Sequence, residues 1–327
     1  MIIPFPFNFF AAAFVGALLT SLLTLPLWRT WCLRTDHVDE PGHRKIHNDA
    51  VPLAGGFAVL TGILVPLLVG AVLLEGGLIK SSATGAIIHG LNKRGLELLI
   101  LAAGAVFITA LGALDDRREL KALPKFIGQL VVAVAVASVC KRITLFVPSA
   151  LFSYSITILW VLTVINAFNF MDNMNGLCTG LGAIGALLFA LIAAADGEYL
   201  VAITGFLMCG ALLGFLPWNF PRAKAFLGDA GSHLVGYLLA VMAILPHFYT
   251  RHNPHPLAVL SPLLVLGIPL ADLAQVSIFR TLNGKPFWLG DTNHLSHRLV
   301  RWGLSRTQAV LLIWLLAAIL GAAAAYL

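Results

Sequence analysis

Charge is what this sequence has least of. Its 21 basic and 15 acidic side chains make up 11% of 327 residues, less than half the roughly 25% of an ordinary soluble domain. So few charges cannot cover a water-facing surface, which excludes the soluble, disordered and fibrous classes. Cysteine is also scarce. Cys32, Cys140, Cys178 and Cys209 form no Cys-x-x-Cys and no metal-ligand spacing, so they read as small buried thiols rather than a disulfide or zinc framework. There is no basic stretch interleaved with aromatics, so the net charge of +6 does not signal a nucleic-acid partner. Internal repeats, low-complexity tails and soluble linkers are absent as well. Residues 1–327 are expected to form a single integral-membrane domain.

What is present is apolar: 59% of the residues are hydrophobic and the mean hydropathy is +0.90. A membrane-crossing helix needs about 20 mainly apolar residues. Ten runs qualify: 8–28, 53–74, 96–114, 125–140, 150–167, 176–195, 199–216, 231–249, 257–279 and 307–327. The first has no basic segment before it and a second follows soon after, so it is expected to stay as an anchor. An outside N-terminus puts fifteen of the 21 basic residues in the loops of one side, the bias of cytoplasmic loops. The expected fold class is therefore an all-α polytopic membrane protein of about ten spans, N-out and C-out.

Polar groups near a bilayer are costly and mark function by default. Five clusters stand out, all assigned to the cytoplasmic side. Asp115-Asp116-Arg117-Arg118 ends the third run; adjacent carboxylates repel unless a cation intervenes, and hard-oxygen ligation of Mg²⁺ is one use for them. Lys125 follows close behind as a phosphate-binding candidate. Asn166, Asn169, Asp172, Asn173 and Asn175 fall within ten residues of an otherwise apolar helix, more than capping requires. Gly228-Asp229-Ala-Gly231-Ser232 precedes the eighth run, where small residues and free helix amides suit phosphate and the acid calls for a metal between them. His294-Leu-Ser-His297-Arg298 lies in the last cytoplasmic loop, fit to grip an anion or nucleotide. Lys45 and His47, with Gly55-Gly56 beyond, are a basic juxtamembrane stretch suited to a lipid phosphate. Asp272 is a further embedded acid with no partner that the sequence names.

Together these describe a site for Mg²⁺ and phosphates at headgroup depth, the requirement of a phosphoryl transfer with one lipid reactant. The ordered segments DDRREL, NAFNFMDNMNGL, FLGDAGSHLVG and HLSHRL resemble the polyprenyl-phosphate N-acetylhexosamine-1-phosphate transferases of glycosyltransferase family 4, from about residue 39 to 300. The resemblance implies a reaction of polyprenyl (undecaprenyl) phosphate with a UDP-N-acetyl sugar, giving polyprenyl-diphospho-sugar and UMP. It implies Mg²⁺, with Mn²⁺ as a substitute, and a site on the cytoplasmic face of a bacterial inner membrane. It also implies roles: Asp115 and Asp116 engage the lipid phosphate, Asp172 is a second catalytic acid and metal candidate, and Asp229 ligates the metal. His294, His297 and Arg298 belong to the nucleotide-sugar loop, Lys45 and His47 to the first cytoplasmic loop, and Asn169, Gly228 and Gly231 to the phosphate corner.

Three positions depart from the family pattern: Ser296 where a histidine is usual, Asn175 for an acid, and Leu53 for an arginine. The run of consecutive histidines found in the phospho-N-acetylmuramoyl-pentapeptide branch is absent, which favours UDP-GlcNAc and leaves that branch as the alternative. A phosphate monoester is largely dianionic at pH 7, so direct attack by the lipid phosphate needs little base, and a covalent aspartyl-phosphate is the competing route. The competing classes are a secondary transporter using Asp172, Asp272 and the Asn strip, and an inactive scaffold. A homodimer is compatible with the sequence.

Overall fold

The computed structural model describes residues 5–40, 50–78, 84–140, 142–246, 248, 256–286 and 293–324. Its helices, in chain order, are α1 (Phe7–Arg34), α2 (Gly55–Glu75), α3 (Thr84–Lys93), α4 (Gly95–Arg118), α5 (Ala122–Val139), α6 (Ala150–Met171) and α7 (Leu177–Ala195). They continue as α8 (Tyr199–Asn219), α9 (Gly228–Met242), α10 (Ser261–Val265), α11 (Gly267–Leu282), α12 (Leu295–Arg301) and α13 (Arg306–Ala323). Among the described residues, eight are long and apolar enough to cross a membrane: α1, α2, α4 to α8 and α13. This is an all-α polytopic membrane protein.

Two of the ten apolar runs take other forms. The run at 257–279 is a bent pair: a 3-10 turn and α10 meet α11 at 75°. Pro269 supplies the cause, since it has no amide to bond the Val265 carbonyl and its ring crowds that turn. The run at 231–249 becomes α9, only 15 residues long and starting three residues early. Of those 15, every residue but Asp229 is buried, because α2, α4, α6 and α7 surround it. A helix apolar on all sides belongs inside a bundle. The short helix α3 was not expected from hydropathy, since it carries His89, Asn92 and Lys93.

Lipid-facing surfaces show helical period. On α1, Leu19, Leu23 and Leu27 recur every four residues and are exposed, while Ala13, Ala17, Ser21 and Leu25 on the other side are buried. With no water on either side, helix association relies on close packing, and small residues permit it. The α2–α9 crossing shows how close: a Cβ at Gly56 would lie 2.5 Å from the Gly231 nitrogen and 2.7 Å from the Ala230 carbonyl carbon.

The loop before α2 adds a two-residue antiparallel ladder, pairing Val38 with Pro52 and Asp39 with Val51. The same segment is stitched to the residues preceding α9. Phe226 N–H donates to the Pro52 carbonyl at 3.0 Å, and Gly55 N–H donates to the Phe226 carbonyl at 2.9 Å. These bonds seat the N-terminus of α9 at one end of the bundle, beside the C-terminal ends of α4, α6 and α8.

The tight crossing predicts that Gly56→Ala destabilises the fold by about 1–3 kcal/mol through overpacking. Gly70→Ala on the same helix, where a Cβ meets nothing within 4 Å, is expected to be neutral or stabilising. Thermal unfolding of the two variants in one detergent checks this; equal midpoints would remove the crossing as a constraint.

Candidate active site

A helix that starts inside an apolar bundle exposes backbone N–H groups that need acceptors. At α9 the acceptor is Asp116. Its Oδ1 takes the Asp229 N–H at 2.7 Å and its Oδ2 the Ala230 N–H at 3.1 Å. Gly228 enters the helix at φ +71°, and a Cβ there would stand 2.8 Å from Asp116 Oδ2. Glycine is therefore required at this position by both conformation and space.

Asp115, one residue earlier on α4, faces elsewhere. Its Oδ1 accepts the Leu120 N–H at 2.8 Å, and its Oδ2 lies 2.6 Å from Lys125 Nζ. Lys125 also reaches Asp229 Oδ2 at 2.9 Å. One ammonium group thus holds two carboxylates that would otherwise repel. The other oxygen of Asp229 accepts from Asn169 Nδ2 at 2.7 Å, and the same amide donates to Ser232 Oγ at 3.1 Å. Behind this lies a buried amide relay: Asn166 Nδ2 donates to Gln129 Oε1 at 2.8 Å, and Gln129 Nε2 lies 3.4 Å from His233 Nε2. Asn166 and Asn169 share a helix face three residues apart, which explains why both amides serve one wall.

Asp116, Asp172, Gly228 and Asp229 line a cleft of about 660 Å³. Asp172 follows the last residue of α6, and its carboxyl is pushed up to about 8, by burial first and then by repulsion from Asp229, with the Gly228 backbone opposing. His297, Arg222 and Arg306 line the same cleft. His297 is held below the usual imidazole value by burial, then by His294, Arg301 and Arg306. The cleft lining thus holds both acidic and basic side chains.

The structure brings Asp115, Asp116, Lys125, Asn169, Asp172, Gly228 and Asp229 together, and His297 lines the same cleft. Other candidates lie elsewhere. Gly231 does not line the cleft and instead forms the close α2–α9 approach. His294 is buried against Asp272, 2.7 Å from Nδ1 to Oδ2, so Asp272 does have a partner. Arg298 sits over the Trp302 ring at 5.5 Å and is not part of the cleft lining. Lys45 and His47 lie outside the described residues. The departures also find places. Ser296 Oγ donates to Asn173 Oδ1 at 2.6 Å, Asn175 Nδ2 donates to the Pro221 carbonyl at 3.2 Å, and Leu53 lines the cleft.

Sequence reasoning missed Arg222 and Arg306, which follow α8 and begin α13; no local motif marks them. It also missed His37, 4% exposed, whose Nε2 lies 4.0 Å from Asp116 Oδ2. Burial and the nearby Arg117 keep its pKa low.

Among the described residues, no three His, Cys, Asp or Glu side chains converge to hold a metal by themselves. Mg²⁺ seldom needs such a cage, since it retains water and takes one or two carboxylates plus substrate phosphates. Asp172 and Asp229, both acids of the cleft wall, fit that donor set.

Comparison with known proteins agrees in kind. Residues 98–247 match the model of glycosyl transferase family 4. A protein of Bacillus subtilis (strain 168) named probable undecaprenyl-phosphate N-acetylglucosaminyl 1-phosphate transferase is 30% identical, over 93% of this chain and 81% of its own. The decaprenyl-phosphate N-acetylglucosaminephosphotransferase of Mycobacterium tuberculosis (strain ATCC 25618 / H37Rv) is 34% identical, over 92% and 78% respectively. The undecaprenyl-phosphate alpha-N-acetylglucosaminyl 1-phosphate transferase of Yersinia pestis is 28% identical, over 92% and 80%.

The bridging ammonium yields a stability prediction. Lys125→Met leaves Asp115 and Asp229 facing each other without a counter-charge, at an expected cost of about 1–3 kcal/mol, less than for a fully buried pair because Lys125 and Asp229 remain partly exposed. Adding Asp115→Asn should recover a large part of that loss. Thermal unfolding of the single and double variants reads it, and a single variant as stable as the parent would show that the bridge carries no weight.

Proposed function

The chain belongs to glycosyl transferase family 4, and from that membership we propose that it transfers N-acetylglucosamine-1-phosphate from UDP-GlcNAc to a polyprenyl phosphate. The single observation that carries the proposal is the shared cleft, lined by Asp116, Asp172 and Asp229 and also by His297, Arg222 and Arg306. The acids suit a metal-bound diphosphate, and the basic residues suit the anionic nucleotide.

In this proposal an oxygen of the lipid phosphate attacks the phosphorus that carries the sugar. The new P–O bond forms as the bond to the bridging oxygen breaks, and UMP leaves with that oxygen. Mg²⁺ held by Asp172 and Asp229 would neutralise the diphosphate oxygens and favour UMP as the leaving group. Lys125, already among carboxylates, supplies positive charge for the attacking phosphate. Asp116 has a different part: both of its oxygens accept backbone amides, so it positions Asp229 rather than taking a proton or forming a covalent phosphate. The dianionic lipid phosphate needs no base to attack.

The proposed orientation places the cleft in the cytoplasm and both termini outside, as the basic residues favour. Ten spans result if α9 and the bent pair are counted with the eight long helices. The proposed setting is a bacterial cytoplasmic membrane, with undecaprenyl phosphate as the acceptor and initiation of a cell-envelope polysaccharide as the outcome.

The test is UMP release by the purified chain with undecaprenyl phosphate, Mg²⁺ and a panel of UDP-N-acetyl sugars. UDP-GlcNAc should turn over, chelation should stop it, and Mn²⁺ should restore part of it. Asp229→Asn is expected to lose about 10²–10³-fold in turnover, the scale of removing one electrostatic stabiliser, while remaining folded in membranes. Unchanged turnover in that variant would remove the metal assignment, and uptake of a substrate into vesicles without UMP release would point to a transporter.

A further inference from the structure

A second set of buried polar groups lies beside the cleft and has no part in the transfer step as proposed. Asp272 and Arg280 are on α11, and His294 stands just before α12. Their exposures are 2%, 3% and 5%. A carboxylate so enclosed needs donors, because a buried polar group without them is costly. Asp272 has two. Its Oδ2 lies 2.7 Å from His294 Nδ1, and its Oδ1 accepts the Leu295 N–H at 2.6 Å. A carboxylate there accepts, which places the imidazole hydrogen on Nδ1. The Leu295 amide is one of the unsatisfied groups at the start of α12. Asp272 therefore grips α12 through a side chain and through the backbone.

Other contacts fix the same element. The Phe170 ring meets the His294 ring edge-on at 5.7 Å, and the Arg280 guanidinium stands 4.9 Å from that phenyl ring. The Ser296 hydroxyl is tied at 2.6 Å to Asn173, a cleft residue next to Asp172. With seven residues, α12 is too short to be stable on its own, so these tethers decide where it sits. His297, three residues beyond His294, is its side chain in the cleft lining.

We propose that Asp272 is a positioning residue for the nucleotide-sugar: through His294 and the Leu295 amide it holds α12 so that His297 faces the cleft. The inference rests on the proposed function, in which the basic residues of the cleft receive the UDP-sugar. Asp272 itself touches no substrate. Its loss should weaken the donor side of the cleft and spare the acceptor side, where Lys125, carried on α5, is proposed to meet the attacking phosphate.

The experiment uses the full chain in detergent, with UDP-GlcNAc, undecaprenyl phosphate and Mg²⁺, for the parent, D272N, D272A, H294A and D272A/H294A. D272A should raise KM for UDP-GlcNAc about tenfold, the scale of one lost charge-assisted hydrogen bond. KM for undecaprenyl phosphate should stay within about twofold, and H294A should add less than about twofold to D272A, since both act through one contact. D272N keeps the volume and the Leu295 bond but turns an NH₂ toward His294, so an intermediate donor KM is expected; it is the variant to read if D272A does not fold. Equal rises in both KM values, a kcat loss at unchanged donor KM, or fully multiplicative effects of D272A and H294A would overturn the inference. A parent protein that releases no UMP removes the proposed function and this inference with it, whereas an active parent with an unmoved donor KM in D272N and D272A removes this inference alone.

Discussion

The start of α9 is the constraint on which the rest of the site depends. A helix that begins inside an apolar bundle presents amides that hydrocarbon cannot satisfy, and two of them bond the Asp116 carboxylate. That bond joins α4 to α9 and sets the backbone of Asp229. Once Asp229 is fixed, Lys125 and Asn169 have a carboxylate to meet, which brings in α5 and α6. The ladder at Val38–Asp39 and Val51–Pro52 closes the wall, because Phe226 and Gly55 bond across to the segment leading into α9.

The same constraint gives the four acids four environments. Asp116 is bonded to backbone, Asp115 to a lysine and a backbone amide, and Asp229 to that lysine and an asparagine. Asp172 has burial and a like-charged neighbour, which raise its pKa to about 8. Residue type alone does not distinguish them. Asp116, both of whose oxygens accept backbone amides, supports a neighbour, while Asp172 and Asp229 line the cleft without that double backbone bond and can receive a cation. Much the same separation appears at α12, where His297 lines the cleft and His294, three residues earlier, is an anchor.

Much of the frame was legible in the sequence. Eight of ten apolar runs became long helices within a few residues of their expected limits, because hydropathy over 20 residues is a sum that tolerates local detail. The acids of DDRREL and of the Gly-Asp segment were legible too, since a charge in an apolar surrounding needs a reason. The bend at Leu266 and the short, enclosed α9 were less so: both depend on what packs around them. Gly231 shows the limit for small residues, because a glycine at a ligand corner and a glycine at a helix crossing read alike. Ser296 and Asn175 looked like losses of function-bearing side chains and proved to be hydrogen-bonded tethers.

The sequence by itself determined that the chain is a helical membrane protein, that its scarce charge gathers in a few segments, and which family those segments resemble. Composition and order suffice for this, because the cost of placing charge in hydrocarbon does not depend on the fold. Tertiary structure alone decided which acids touch the cleft, that Lys125 bridges Asp115 and Asp229, that Arg222 and Arg306 share the cleft with Asp116, Asp172 and Asp229, and that Asp272 holds His294. Lys125 and Asp229 are 104 positions apart and Asn173 and Ser296 are 123 apart. Side chains so distant in sequence meet only when the helices carrying them have packed, and no local pattern encodes that meeting.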